Sequence, residues 1–204
     1  MRYARYSSIC FGVALFVFAF IACASRYYLM VDYQLPAASE KLKGQKINLQ
    51  VKDAMTDKNV FTPAAARRFG VFRNHYNLTV VSGKERMPVG PRDLQGLFQD
   101  AFEKRLTHSG AQIVPSHETG APLILITIRT VQVDVQERKW IARVVYDAEL
   151  FIENQLVTRE TLSGHAERVR IVGADNVDET MSDITTEIIN RLDIVKFLQQ
   201  GKLL

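Results

Sequence analysis

The chain has 204 residues, of which 26 are basic and 22 acidic, for a formal net charge of +4. That length is one domain with room for a leader or tether, and so slight a charge excess gives no support to a nucleic-acid partner. The only cysteines are Cys10 and Cys23, so the body of the chain has no disulfide framework, thiol nucleophile or thiolate metal site.

The first segment, Met1 to Ser8, carries Arg2 and Arg5 and no acid, and Ile9 to Ile21 carries no charge. The run ends Phe20-Ile21-Ala22-Cys23. This order reads as a bacterial export signal over residues 1–22 with a lipid-attachment cysteine, Cys23, behind it. The apolar core is shorter than the ~20 residues of a membrane-spanning helix. Phe20 departs from the leucine usual at that position. Two alternatives stay open: cleavage after Ala24, because Ala22-Cys23-Ala24 also has small-x-small spacing, and a retained anchor helix over Cys10 to Ala24. Cleavage before Cys23 would remove Cys10, Arg2 and Arg5, leaving a nearly neutral chain without free thiols, as suits an oxidising periplasm. Ala24 is not the aspartate that retains such proteins in the inner membrane, so the expected address is the outer membrane, facing the periplasm.

Residues 23–45 read as the lipidated cysteine and a tether. Tyr27, Tyr28 and Tyr33 either dock on the domain or rest at the lipid interface. Lys46 to Lys52 alternates, with Ile47, Leu49 and Val51 on one face, and predicts a half-buried strand. Asp53 to Asn77 is irregular. Leu78 to Val81 is a short strand closed by Ser82-Gly83, so the region forms a long loop or side hairpin. Arg92 to Ser109 predicts a helix opened by Gly90-Pro91. Leu94, Leu97, Phe98, Ala101, Phe102 and Leu106 form its apolar face, Lys104, Arg105 and His108 lie near its C-terminal dipole end, and Gly110 closes it.

After a short strand at Gln112 to Val114 come three longer ones. Leu123 to Val135 opens apolar on both faces, as a covered central strand does. Trp140 to Ile152 puts Trp140, Ala142, Val144, Tyr146, Ala148, Leu150 and Ile152 on one face and Arg143, Asp147 and Glu149 opposite, and Leu156 to Ile171 is polar enough for an edge. Short turns at Gln136 to Lys139 and Glu153 to Gln155 make the three an antiparallel meander. A helix from Val177 to about Leu198 ends the chain, with a capping-box spacing at Asn176 and Glu179. The expected fold is α+β: a two-layer sandwich over residues 46–204, with a mostly antiparallel sheet and two helices on one face.

Chemistry is sparse. His75, His108, His117 and His165 make no ligand pair, and no nucleophile elbow, phosphate loop or dinucleotide fingerprint occurs. Asp53, Asp57 and Asn59 lack the glycine turn and distal glutamate of a calcium loop and read as turn caps. The candidate patch is Arg67, Arg68, Phe69, Phe72, Arg73 and Tyr76. Arginines interleaved with aromatic rings suit a phospholipid headgroup or an acidic partner; the plainer reading puts the rings in the core and the arginines in water. Arg168 and Arg170, with Arg159 on the opposite face, form a weaker cluster. No enzymatic activity, cofactor or metal is expected.

The segment Arg92-Asp93-Leu94-Gln95-Gly96-Leu97-Phe98-Gln99-Asp100-Ala101-Phe102-Glu103-Lys104-Arg105-Leu106 resembles the central helix of YajG-like lipoproteins. Cys23, the strand Ile47 to Lys52 followed by Asp53, the meander and the helix from Val177 match the rest of that pattern. The resemblance implies an envelope lipoprotein without established enzymatic activity. Tyr33-Gln34-Leu35-Pro36 is similar to the opening of PqiC-like lipoproteins, which accompany lipid-transport machinery. The element order is similar to that of LptE-like lipoproteins in architecture alone. Two functions follow as expectations: a non-catalytic, membrane-anchored module that binds an envelope protein, or an auxiliary lipid-binding component of a transport complex. A lipid carrier needs a groove between helices and sheet; a binding module needs only an exposed edge or patch.

Overall fold

The structure, a computed structural model, describes residues 28–69, 75–115, 120–169 and 176–203. In chain order the elements are β1 (Leu29–Gln34), β2 (Lys46–Asp53), α1 (Pro63–Phe69), β3 (Tyr76–Ser82), β4 (Glu85–Arg92), α2 (Leu94–His108), β5 (Gln112–Ile113), β6 (Leu123–Gln136), β7 (Lys139–Ile152), β8 (Gln155–Val169), α3 (Val177–Arg191) and α4 (Ile194–Gln200). They form a five-stranded sheet ordered β5-β2-β6-β7-β8 and a three-stranded sheet ordered β1-β3-β4. The α+β class and the β6-β7-β8 meander are as expected. The sheets are mixed, however: β1 runs parallel to β3, and β2 runs parallel to both β5 and β6.

Alternation builds the large sheet. On β7 the residues Trp140, Ala142, Val144, Tyr146, Ala148 and Leu150 are all buried on the helix side. On β6 the buried set changes parity, from Ile124, Ile126 and Ile128 to Val131 and Val133. A bulge between Ile128 and Thr130 inserts Arg129 and causes that shift. Leu123 and Leu125, on the other face, are only half-buried, so the second face is not closed as the apolar opening suggested. The β7–β8 turn places Glu153 and Asn154 at positive φ, 50° and 64°, a pattern that matches the twist of a tight hairpin.

The segment read as a tether contains a packed strand. Leu29, Val31 and Tyr33 of β1 are fully buried, and with Tyr76, Leu78 and Val80 of β3 they give the small sheet one apolar face. Its far edge, β4, carries Pro88 and Pro91, which donate no ladder hydrogen bond. Pro91 pairs with Asn77 inside this strand and so does not open α2. The cap of α2 is instead Asp93, whose carboxylate accepts from Gly96 N at 2.7 Å.

The C-terminal segment is two helices where one was expected. Leu192 leaves helical geometry at φ −65°, ψ 112°, and Asp193 starts α4 by accepting from Lys196 N at 3.1 Å. Asn176 makes no side-chain cap. The helix α3 closes the open edge of β1. Asp178, Ser182 and Thr186, spaced four apart, accept from Met30 N, Asp32 N and Gln34 N at 3.0, 2.9 and 3.0 Å, and Asn190 Nδ2 donates to Gln34 O at 2.9 Å. Four helical residues rise about 6.0 Å and two strand residues about 6.6 Å, so the two repeats stay in step over this length.

Candidate functional site

Of the residues singled out in the sequence, Cys10, Cys23, Phe72, Arg73, His117 and Arg170 lie outside the described residues. Arg67 and Arg68 are exposed in the last turn of α1, and Phe69 is that helix's last residue. Tyr76 is fully buried on β3, and burial raises its phenol well above the usual tyrosine range, with the Asp53 and Asp93 charges adding to the rise. Tyr76 is therefore a core residue and no part of a surface patch. The plainer reading holds for it: the ring fills the core. Beside it a cavity of about 130 Å³ is bounded by Asp53, Met55, Val60, Asp93 and Leu94.

The loop acids are turn caps. Asp53 Oδ1 accepts from Met55 N at 2.9 Å and its Oδ2 pairs with Lys58 at 2.8 Å. Asp57 accepts from Asn59 N at 2.8 Å. Among the described residues no group of His, Cys, Asp and Glu is placed to hold a metal ion, and no helix is long and apolar enough to cross a membrane.

The centre of the interface between the helices and the large sheet is filled, while a cleft of about 400 Å³ opens at its β2–β5 margin beside Gln99 of α2. Phe98 and Phe102 of α2 meet the Tyr146 ring edge-on, with centroids 6.2 and 5.7 Å apart. Trp140, Tyr33 and Phe197 are also fully buried there. At its centre is a polar junction that the sequence reading missed. Arg105 falls four residues after Ala101 on the apolar stripe of α2 and is buried, 8% exposed. Its guanidinium donates to Ile189 O, to Asn190 O at 3.3 Å and to Leu192 O at 2.5 Å, so it caps the end of α3 and not its own helix. Tyr146 Oη donates to Ile188 O at 3.1 Å and Tyr33 Oη to Asn190 Oδ1 at 2.8 Å. Burial lowers the Arg105 pKa, opposed by the nearby tyrosines and Asp193. Every group here is spent on joining α2, α3, β1 and β7, which is a structural role.

Among the described residues the longest sheet edge without a strand beside it is that of β8. The β1 edge is covered by α3, β4 carries prolines, and β5 is only two residues long. The edge strand β8 has 15 residues, and Leu156, Val157 and Val169 on it are 49, 42 and 60% exposed. Arg191 of α3 donates to Ser163 O, which shows that the backbone of Ser163 points away from β7. At Gly164 the helix comes close: a Cβ would lie 3.2 Å from Ile188 Cδ1 and 3.3 Å from Ile184 Cδ1. An open cleft of about 640 Å³ lies around the edge, with Arg143, Ser163, His165, Glu187 and Arg191 on its walls.

The outer face of the meander beside this edge is a ladder of ion pairs. Arg129 pairs with Asp147 at 2.8 Å, Lys139 with Glu167 at 2.8 Å, and Arg159 with Glu149. Burial pushes Asp147 upward, but hydrogen bonds from Thr161 and Arg129 and the arginine charge outweigh it, so its pKa is held below the usual carboxylate value. Arg143 stands opposite His165 in the β7–β8 register, and among the described residues neither forms an ion pair.

No protein-family model matches the chain, and no curated protein matches it. Among solved structures it is similar to protein XCC0632 from Xanthomonas campestris, of family DUF330, at 12% identity and TM-score 0.48, over 84% of this chain and 98% of that one. It is similar to the hypothetical protein CT253 from Chlamydia trachomatis at 12% identity and TM-score 0.46, over 79 and 98%. A minor lipoprotein from Acinetobacter baumannii matches at 10% identity and TM-score 0.34, over 74 and 94%.

Proposed function

We propose that this chain is a non-catalytic lipoprotein of the bacterial envelope, anchored through Cys23 and facing the periplasm from the outer membrane, whose domain binds another polypeptide. The filled centre of the helix–sheet interface carries the choice of a binding module over a lipid carrier. Aromatic rings and the Arg105 junction occupy the space where an acyl chain would lie, whereas the β8 edge and its cleft are open. The anchor rests on the sequence around Cys23, and the likeness of Arg92 to Leu106 to the YajG-like helix supports the same reading. The first buried residue among those described is Leu29, and five residues, 24–28, separate it from Cys23, which places the domain within about 20 Å of the anchor.

The experiment is Cys23→Ala in the full chain. The variant should lose lipid labelling and remain unprocessed or soluble. Unchanged gel mobility and membrane fractionation would remove the anchor from the account. Binding is tested separately by mild crosslinking in intact membranes, which should yield a reproducible adduct whose yield falls when the β8 edge is blocked.

A further inference from the structure

We propose that the β8 edge takes an extended acidic segment of another protein as an added antiparallel strand, with a carboxylate of that segment held between Arg143 and His165. This rests on the binding-module reading above and names the partner's chemistry. The backbone argument is that β8 is the long edge without a strand on its outer side among the described residues. Ser163 already shows its outward carbonyl in use, because Arg191 hydrogen-bonds it. A strand laid there would replace that contact with ladder hydrogen bonds. Apolar side chains on the strand could rest on Val157 and Val169, which are 42 and 60% exposed.

The charge argument selects an acidic segment. Arg129, Lys139 and Arg159 each have a carboxylate partner on the outer face. Arg143 makes no ion pair among the described residues; it stands opposite His165 in the register, and its charge reaches Asp134 only at longer range, lowering that carboxyl's pKa. The nearby acid, Asp134, is committed: its Oδ1 accepts from Thr62 Oγ1 at 2.6 Å and Val135 N at 2.8 Å, and its Oδ2 from Gln136 Nε2 at 3.1 Å. Glu187, on the cleft wall, is held by Arg191. A carboxylate arriving on an added strand would therefore meet a guanidinium that breaks no direct ion pair to receive it, its nearby acid Asp134 being held by Thr62, Val135 and Gln136. A second copy of this chain fits less well, because β8 paired with itself about Ser163 would set Arg191 against its own counterpart.

The test uses the full chain in detergent and three labelled ten-residue peptides of alternating Thr-Glu, Thr-Gln and Thr-Lys, read by fluorescence anisotropy. The Thr-Glu peptide should bind about ten-fold more tightly than Thr-Gln, with Thr-Lys weaker still. Arg143→Gln, a change at an exposed position, should remove most of the Thr-Glu preference. A Thr-Glu peptide N-methylated at alternate residues should lose binding, because it cannot complete the ladder. Equal binding of Thr-Glu and Thr-Gln, an undiminished preference in Arg143→Gln, or full binding of the N-methylated peptide would each overturn the proposal. So would concentration-dependent dimers, seen by light scattering, that block the edge. Any of these in a chain that still labels at Cys23 and still gives its crosslinked adduct would leave the broader function intact.

Discussion

Two side chains show how the interior and the outer face are held. Arg105 supplies donors to carbonyls at the end of α3. Arg105→Met keeps the volume of the stem but orphans those carbonyls in a water-poor site. We expect a loss of about 3 kcal/mol in urea unfolding, with Arg105→Lys recovering only part because one ammonium cannot span the fork. Asp147 gives the pH dependence. Its folded pKa lies below the unfolded value near 3.8, so its contribution is fully present above that value and is lost as pH falls through the lower, folded one. Asp147→Asn should therefore lower stability at neutral pH and flatten the acid limb, measured as unfolding midpoints from pH 7 to pH 2. The sequence showed Arg105 only as a cation near the C-terminal end of its helix; its partners lie 84 to 87 residues away, and no local pattern encodes them.

At the level of elements, the helix-covered strand edge is the least expected feature. Ser182→Ala with Thr186→Ala should leave the amides of Asp32 and Gln34 without their acceptors. Each loss should cost about 1 kcal/mol, and hydrogen exchange at those two amides should rise well above that of the neighbouring β1–β3 ladder. On the other side of α3, Gly164→Val would drive methyls into Ile184 and Ile188. It should destabilise the chain by about 2 kcal/mol through overpacking. Periodicity revealed α2, β2 and the meander because each has one clear apolar face. It did not reveal β4, where Pro88, Gly90 and Pro91 read as loop and are tolerated because the strand is an edge. It also missed β1, whose six residues follow a stretch without pattern and are fixed by parallel pairing to β3, far along the chain. The break at Leu192 was hidden because Ile188, Leu192 and Val195 keep helical spacing across it.

For the whole molecule, the proposed anchor at Cys23 would hold at the membrane a packed domain whose β8 edge is open. The candidate patch illustrates the limit of reading such a surface from sequence: Arg67 and Arg68 are exposed on α1, yet Tyr76, which shares their stretch, belongs to the core. The composition marked both arginines and rings, but only the fold separates those that face water from those that fill β3. Intact mass spectrometry of the chain purified from membranes tests whether Cys23 becomes the lipidated first residue. We predict a mature chain beginning at Cys23 and carrying a diacylglyceryl group on its sulfur. An N terminus at Ser25, or a retained Met1 with an unmodified Cys23, would contradict it.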